Sequence, residues 1–181
     1  MEQAEIEKLK YPLGKYKKPE NASSKEINEC IKVLEEFPQK LRQATKGLSD
    51  IELTYKHRPE GWAVRQLVHH LADSHITAFT RVKLALTENN PTVKPYIENE
   101  WVKLPDTSQA PIEWSLMIIE GVHNRLATLL KSLDNEQLQR TYFNPEYQKL
   151  YTIQDVILLY SWHCGHHMAH INQALKHKNN F

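Results

Sequence analysis

The sequence predicts an all-α protein: an up-down four-helix bundle with an N-terminal arm and a long connection between its second and third helices. Three observations carry this. Apolar residues recur at helical spacing over most of the length, as in helices that each bury one face. Only five glycines and few alternating β-branched runs leave little room for sheet. The length of 181 residues, 40% of them hydrophobic, suits one domain with a single buried core.

Residues 1–23 carry Pro12, Gly14 and Pro19 and read as an extended arm lying over one domain that spans 24–181. The first helix is predicted over Ser24–Thr45, with Ser24 as its N-cap and Pro38 as a kink. After the turn RPEG, the second runs from Val64 to Thr87. The connection that follows, NNPTVKPYIENEWVKLPDTSQ, holds Pro91, Pro95 and Pro105 and is longer than a plain bundle needs. Long loops often carry function. The third helix covers Pro111–Leu133, with proline in the favoured first turn, and the fourth covers Thr152–Lys176. A faint internal echo divides these into two helix pairs. LSDIEL at 48–53 resembles LDNEQL at 133–138, and each precedes, after a turn, an apolar helix containing histidines.

Composition removes several classes of function. Lysine and arginine number 23 against 22 acidic residues, and a net charge of +1 gives no field to attract nucleic acid or an anionic membrane. The stretch MEQAEIEKLKYPLG has no apolar targeting core, and no run approaches the roughly 18 apolar residues of a membrane span, so a cytoplasmic protein is expected. Cys30 and Cys164 form no CxxC pair and are too few for a disulfide framework, which fits a reducing compartment. No G-x-S-x-G elbow, phosphate-binding loop or G-x-G-x-x-G stretch is present. Trp62, Trp101, Trp114 and Trp162 read as packing anchors, and Lys15, Lys17 and Lys18 as a solvated patch.

The histidines are the chemical signal. WHCGHHMAH places His163, His166, His167 and His170 on one arc of roughly 100° of a helix. Residues four apart stand one turn above the other, so two pairs could grip an ion: His163 with His167, or His166 with His170. The apolar residues of the same helix centre nearer the first pair, which should therefore lean inward, with His166 and His170 towards the rim. A catalytic zinc usually takes three protein ligands, so a third must come from HHLADSH in the second helix. There the apolar projection favours His75, whereas the internal echo favours His70. His123 and His177 read as ordinary structural histidines. HCGHH is not HExxH, which excludes the zincin protease mechanism. Cys164 points into packing, away from the ligand face.

GWAVRQLVHHLADSH, WHCGHHMAH and YPLGKY together resemble the YfiT branch of the DinB-like superfamily, whose members are labelled metal-dependent hydrolases. The likeness runs from Tyr11 onward. The resemblance implies a DinB-type four-helix bundle, a homodimer, and one divalent ion per chain, zinc with nickel as the alternative. Carried over residue by residue, the ligands fall on His70, His163 and His167. Some members of the superfamily resemble thiol S-transferases, so two enzymes are expected in outline. One activates water at the metal for hydrolysis, with Asp73 or Glu98 as assisting carboxylates; the other presents a low-molecular-weight thiol as thiolate to an electrophile. Either takes a small-molecule substrate. A bundle whose ion is purely structural is the non-enzymatic alternative.

Overall fold

The computed structural model describes residues 2–181. Its element order is α1 (Gln3–Lys10), α2 (Ser24–Thr45), a 3-10 turn (Glu52–Thr54), α3 (Val64–Thr87), α4 (Glu98–Trp101), α5 (Pro105–Gln109), α6 (Ile112–Lys131), α7 (Asn135–Leu138), β1 (Thr141–Asn144), β2 (Lys149–Thr152) and α8 (Ile153–His177).

Two of the long helices, α2 and α8, begin where short side chains take over free backbone donors. At α2 the cap is Ser23, one residue before the expected Ser24: its hydroxyl accepts from the Glu26 amide and the Glu26 carboxylate accepts from the Ser23 amide. At α8, Thr152 and Asp155 form the same reciprocal box. Each long helix then buries a stripe at helical spacing: Ile27, Ile31, Leu34, Phe37 and Leu41 on α2, and Leu67, Leu71, Ala78, Val82 and Ala85 on α3. Leu116, Ile119, Leu126 and Leu130 supply α6, and Ile153, Val156, Ile157, Cys164, Ile171 and Ala174 supply α8. These stripes form one core.

Both α2 and α3 pack against both α6 and α8. Helices consecutive in the chain, α2 with α3 and α6 with α8, therefore sit across the bundle from one another, and the connections must cross it. The two crossings are built alike, as the internal echo suggests. Ser49 and Glu52 form a small capping box in the first, and Asp134 and Gln137 form one in the second. The first residue of α3 donates to Tyr55 O (Val64 N, 3.0 Å) and the first of α8 to Arg140 O (Ile153 N, 3.0 Å).

Two features depart from the sequence reading. The arm is not extended throughout, because Gln3–Lys10 is helical. In addition, β1 and β2 form an antiparallel hairpin in the register Thr141↔Thr152, with Tyr142 stacked on Tyr151 at 5.8 Å. The long α3–α6 connection joins it through a parallel bridge from Thr92 to Phe143. No helix among the described residues is long and apolar enough to cross a membrane.

Candidate metal centre

His70 of α3 and His163 and His167 of α8 bring three ligand nitrogens within 4.8 Å of one another. The His70 and His163 Nε2 atoms are 3.4 Å apart. Nitrogens bound at about 2.0–2.1 Å to a tetrahedral zinc lie about 3.3–3.4 Å apart, so this edge already has the spacing an ion needs.

Hydrogen bonds decide which ring nitrogen each histidine can offer. His170 Nε2 meets the Lys10 carbonyl at 3.1 Å, and a carbonyl only accepts, so that nitrogen carries the hydrogen. The neutral ring then accepts at Nδ1 from His167 Nδ1, 3.4 Å away, which leaves His167 Nε2 as a bare acceptor. His70 Nδ1 lies 3.2 Å from the Tyr96 hydroxyl, which can accept from it. His163 Nδ1 lies 3.1 Å from His75 Nε2. All three candidate ligands therefore have a partner for Nδ1, the arrangement typical of metal-bound histidines.

The rings are held neutral. Burial pushes His70 down to about 3, helped by the nearby His166. Burial, reinforced by neighbouring histidines, holds His163 and His167 well below the ordinary histidine range. Neutral imidazole is the form that binds metal.

A cavity of about 600 Å³ opens onto the three rings, bordered by Arg58, Trp62, Arg81, Tyr96, Glu98 and Glu146 among others. Trp62 packs its ring 4.7 Å from His70 and stacks at 6.4 Å on His167, walling one side of the site. Glu98 borders this cavity; Asp73 is not among its lining residues, and burial raises its carboxyl to about 6.

His166 and His170, expected near the rim, are both buried. The arm accounts for this: Tyr11 stacks over His166 at 6.2 Å and Lys10 O takes the His170 bond. His69 turns away to Ser115 Oγ (2.7 Å) and Ala110 O (3.2 Å) and joins helices rather than the site. His75, His123 and Cys164 form a second close group. The two histidines bond to each other at 2.8 Å, and burial pushes the Cys164 thiol well up, so this group reads as packing around a hydrogen-bond chain. Sequence reasoning missed Trp62, Arg58, His57 and Tyr96 as site neighbours. Tyr96 lies in the long connection already suspected of function; the others stand in the RPEG turn and beside it.

A profile of the DinB superfamily matches residues 34–171. The chain belongs to the DinB superfamily. Among DinB relatives, it is 41% identical over 165 residues to the Bacillus subtilis protein named "Putative metal-dependent hydrolase YfiT", covering 91% of this chain and 93% of that one. It is 46% identical over 166 residues to a Halalkalibacterium halodurans protein with the same hydrolase name, covering 92% and 96%. The solved structure of Bacillus subtilis YfiT, described as having an unusual four-helix bundle topology, superposes with a TM-score of 0.90 at 40% identity, covering 93% of this chain and 97% of that one. The helices that pack across the bundle here thus belong to a DinB fold already seen by experiment.

Proposed function

We propose that this DinB protein is a metal-dependent hydrolase in which His70, His163 and His167 hold one divalent ion, zinc or nickel, at the base of the cavity. The observation that carries the reading is the convergence of three neutral imidazoles from two helices, each with its Nδ1 already partnered. Bound there, the ion would supply a Lewis acid able to acidify water and polarise a substrate oxygen. The chain's own groups do the remaining work. The Tyr96 hydroxyl orients His70, and Trp62 keeps water from one flank of the ligands. Glu98 borders the cavity and is our candidate proton acceptor. Three protein ligands facing a cavity of this size favour a reacting centre with a small-molecule substrate over a closed structural ion. The relatives' hydrolase names agree with this reading.

We also propose a homodimer. Trp114, Met117 and Ile118 stand exposed together on α6, an apolar patch suited to a second copy of the chain.

The test is an assay of metal-loaded protein on ester and amide substrates, with a parallel arm offering low-molecular-weight thiols and a model electrophile. Metal-dependent hydrolysis that Glu98→Gln abolishes without loss of metal supports the reading. Thiol-dependent product without hydrolysis would move the assignment to a thiol transferase. One tightly held ion per chain with no turnover in either arm would make the ion structural.

A further inference from the structure

Behind the site, a line of hydrogen bonds crosses the whole bundle. His163 Nδ1 on α8 lies 3.1 Å from His75 Nε2 on α3, His75 Nδ1 lies 2.8 Å from His123 Nε2 on α6, and His123 Nδ1 lies 2.5 Å from Leu34 O on α2. The direction of every bond follows from the last one. A carbonyl can only accept, so His123 Nδ1 carries the hydrogen and His123 Nε2 must accept from His75 Nδ1–H. His75 Nε2 then accepts from His163 Nδ1–H, which leaves His163 Nε2 bare towards His70.

The far anchor has its own cause. In a regular helix the Leu34 carbonyl would accept from the amide of residue 38. Residue 38 is Pro38, which has no N–H, so the carbonyl is left without its helical donor. His75 and His123 are fully buried, and Phe37 stacks on both rings at 6.0 and 5.6 Å, holding the line in place.

We infer that His123 and His75 are positioning residues for the metal centre, relaying the polarity of the Leu34 carbonyl, left free by Pro38, to fix His163 in the tautomer that presents Nε2 to the ion. This rests on the proposed metal site. Neither residue touches the ion; both act through His163. An imidazole in water prefers the opposite tautomer, with hydrogen on Nε2, so the relay holds His163 in its less favoured form before metal arrives.

The experiment measures zinc affinity by chelator competition and, in the metal-free protein, the ¹⁵N shifts of His163. His75→Phe keeps an aromatic ring between Phe37 and Tyr160 but removes the acceptor. His75→Gln restores a group that accepts from His163. We expect Nδ1–H at His163 in the metal-free wild type, a loss of about 10- to 100-fold in zinc affinity for His75→Phe with His163 shifting towards Nε2–H, and recovery in His75→Gln. Pro38→Ala supplies a competing amide and should weaken zinc in the same direction. Nε2–H at His163 in the wild type, or unchanged affinity in a folded His75→Phe, would overturn the relay. Unchanged affinity in Pro38→Ala would overturn the part assigned to Pro38. A wild type that binds no zinc, or a His163→Ala variant that binds it as tightly as wild type, would overturn the metal reading itself, whereas the shifts in the metal-free protein report on the relay separately.

Discussion

Lys18 sets its ammonium 2.6 Å from the carboxylate of Asp155, and through that one pair the arm is tied to the first turn of α8. Asp155 is buried and also accepts from the Thr152 amide, so it caps the helix and anchors the arm at once. Asp155→Ala should cost about 2 kcal/mol, the upper end of a lost cap, because it also strands the lysine. Lys18→Ala, at a half-exposed position, should cost under about 1 kcal/mol. Urea unfolding of the two variants checks the order, and a larger loss for Lys18→Ala would contradict it.

Metal content separates the proposed ligands from their neighbours. His70→Ala, His163→Ala and His167→Ala should each lose the ion or hold it far more weakly, read by elemental analysis after dialysis. His69→Ala should keep one ion per chain, since its bonds run to Ser115 and Ala110, while losing about 1–3 kcal/mol of stability.

The metal-free protein should be acid-labile well above the carboxylate range. Burial lowers His57 and His166 to about 4, and His70 and His170 to about 3, against 6.5 for the unfolded chain. Below pH 6.5 the unfolded state takes up protons that the folded state refuses, so stability is full above that value and falls progressively towards pH 3–4. The urea midpoint should drop clearly between pH 7.5 and pH 5. An unchanged midpoint would mean that these rings titrate normally in the folded protein.

The exposed α6 face gives a prediction about assembly. Replacing Trp114 and Met117 together by lysine should convert a dimer to a monomer in light scattering, with little change in helical circular dichroism, because both side chains are exposed. A wild type that is already monomeric at micromolar concentration would remove the homodimer.

The four long helices were legible because each buries a stripe at helical spacing, to which α2 and α8 add a capping side chain. The bounds of α2 and α3 follow from the sequence, although the α2 cap is Ser23 rather than Ser24, because Glu26 pairs with it. The hairpin lacks the β-branched alternation by which a strand is read from sequence. Its stabilising elements are aromatic instead, Tyr142 against Tyr151 across a turn that begins at Asn144-Pro145, and a turn signal between two short aromatic runs was present in TYFNPEYQKLYT. On α8, projection picked out His163 and His167, the two that gather with His70, although His163 is only half-buried. It misjudged the burial of His166 and His170, because periodicity on one helix cannot register an arm that returns to cover it. His123 was set aside for a similar reason. Its partner is a backbone carbonyl 89 residues away, and no side-chain pattern records a carbonyl.

The arm that covers α8 also bears on synthesis. Lys10 and Leu9 offer their carbonyls to His170 and Gln173, partners 160 and 164 residues downstream. At translation rates of about 5–20 residues per second, the nascent arm waits roughly 8 to 32 s before its partners exist. Once α6 has emerged, α2 and α3 can begin to pack on it, but the groove for the arm has no floor until α8 forms it. The proposed metal centre should therefore be among the last parts of the molecule to mature, and an ion arriving early would meet only His70 of the three proposed ligands.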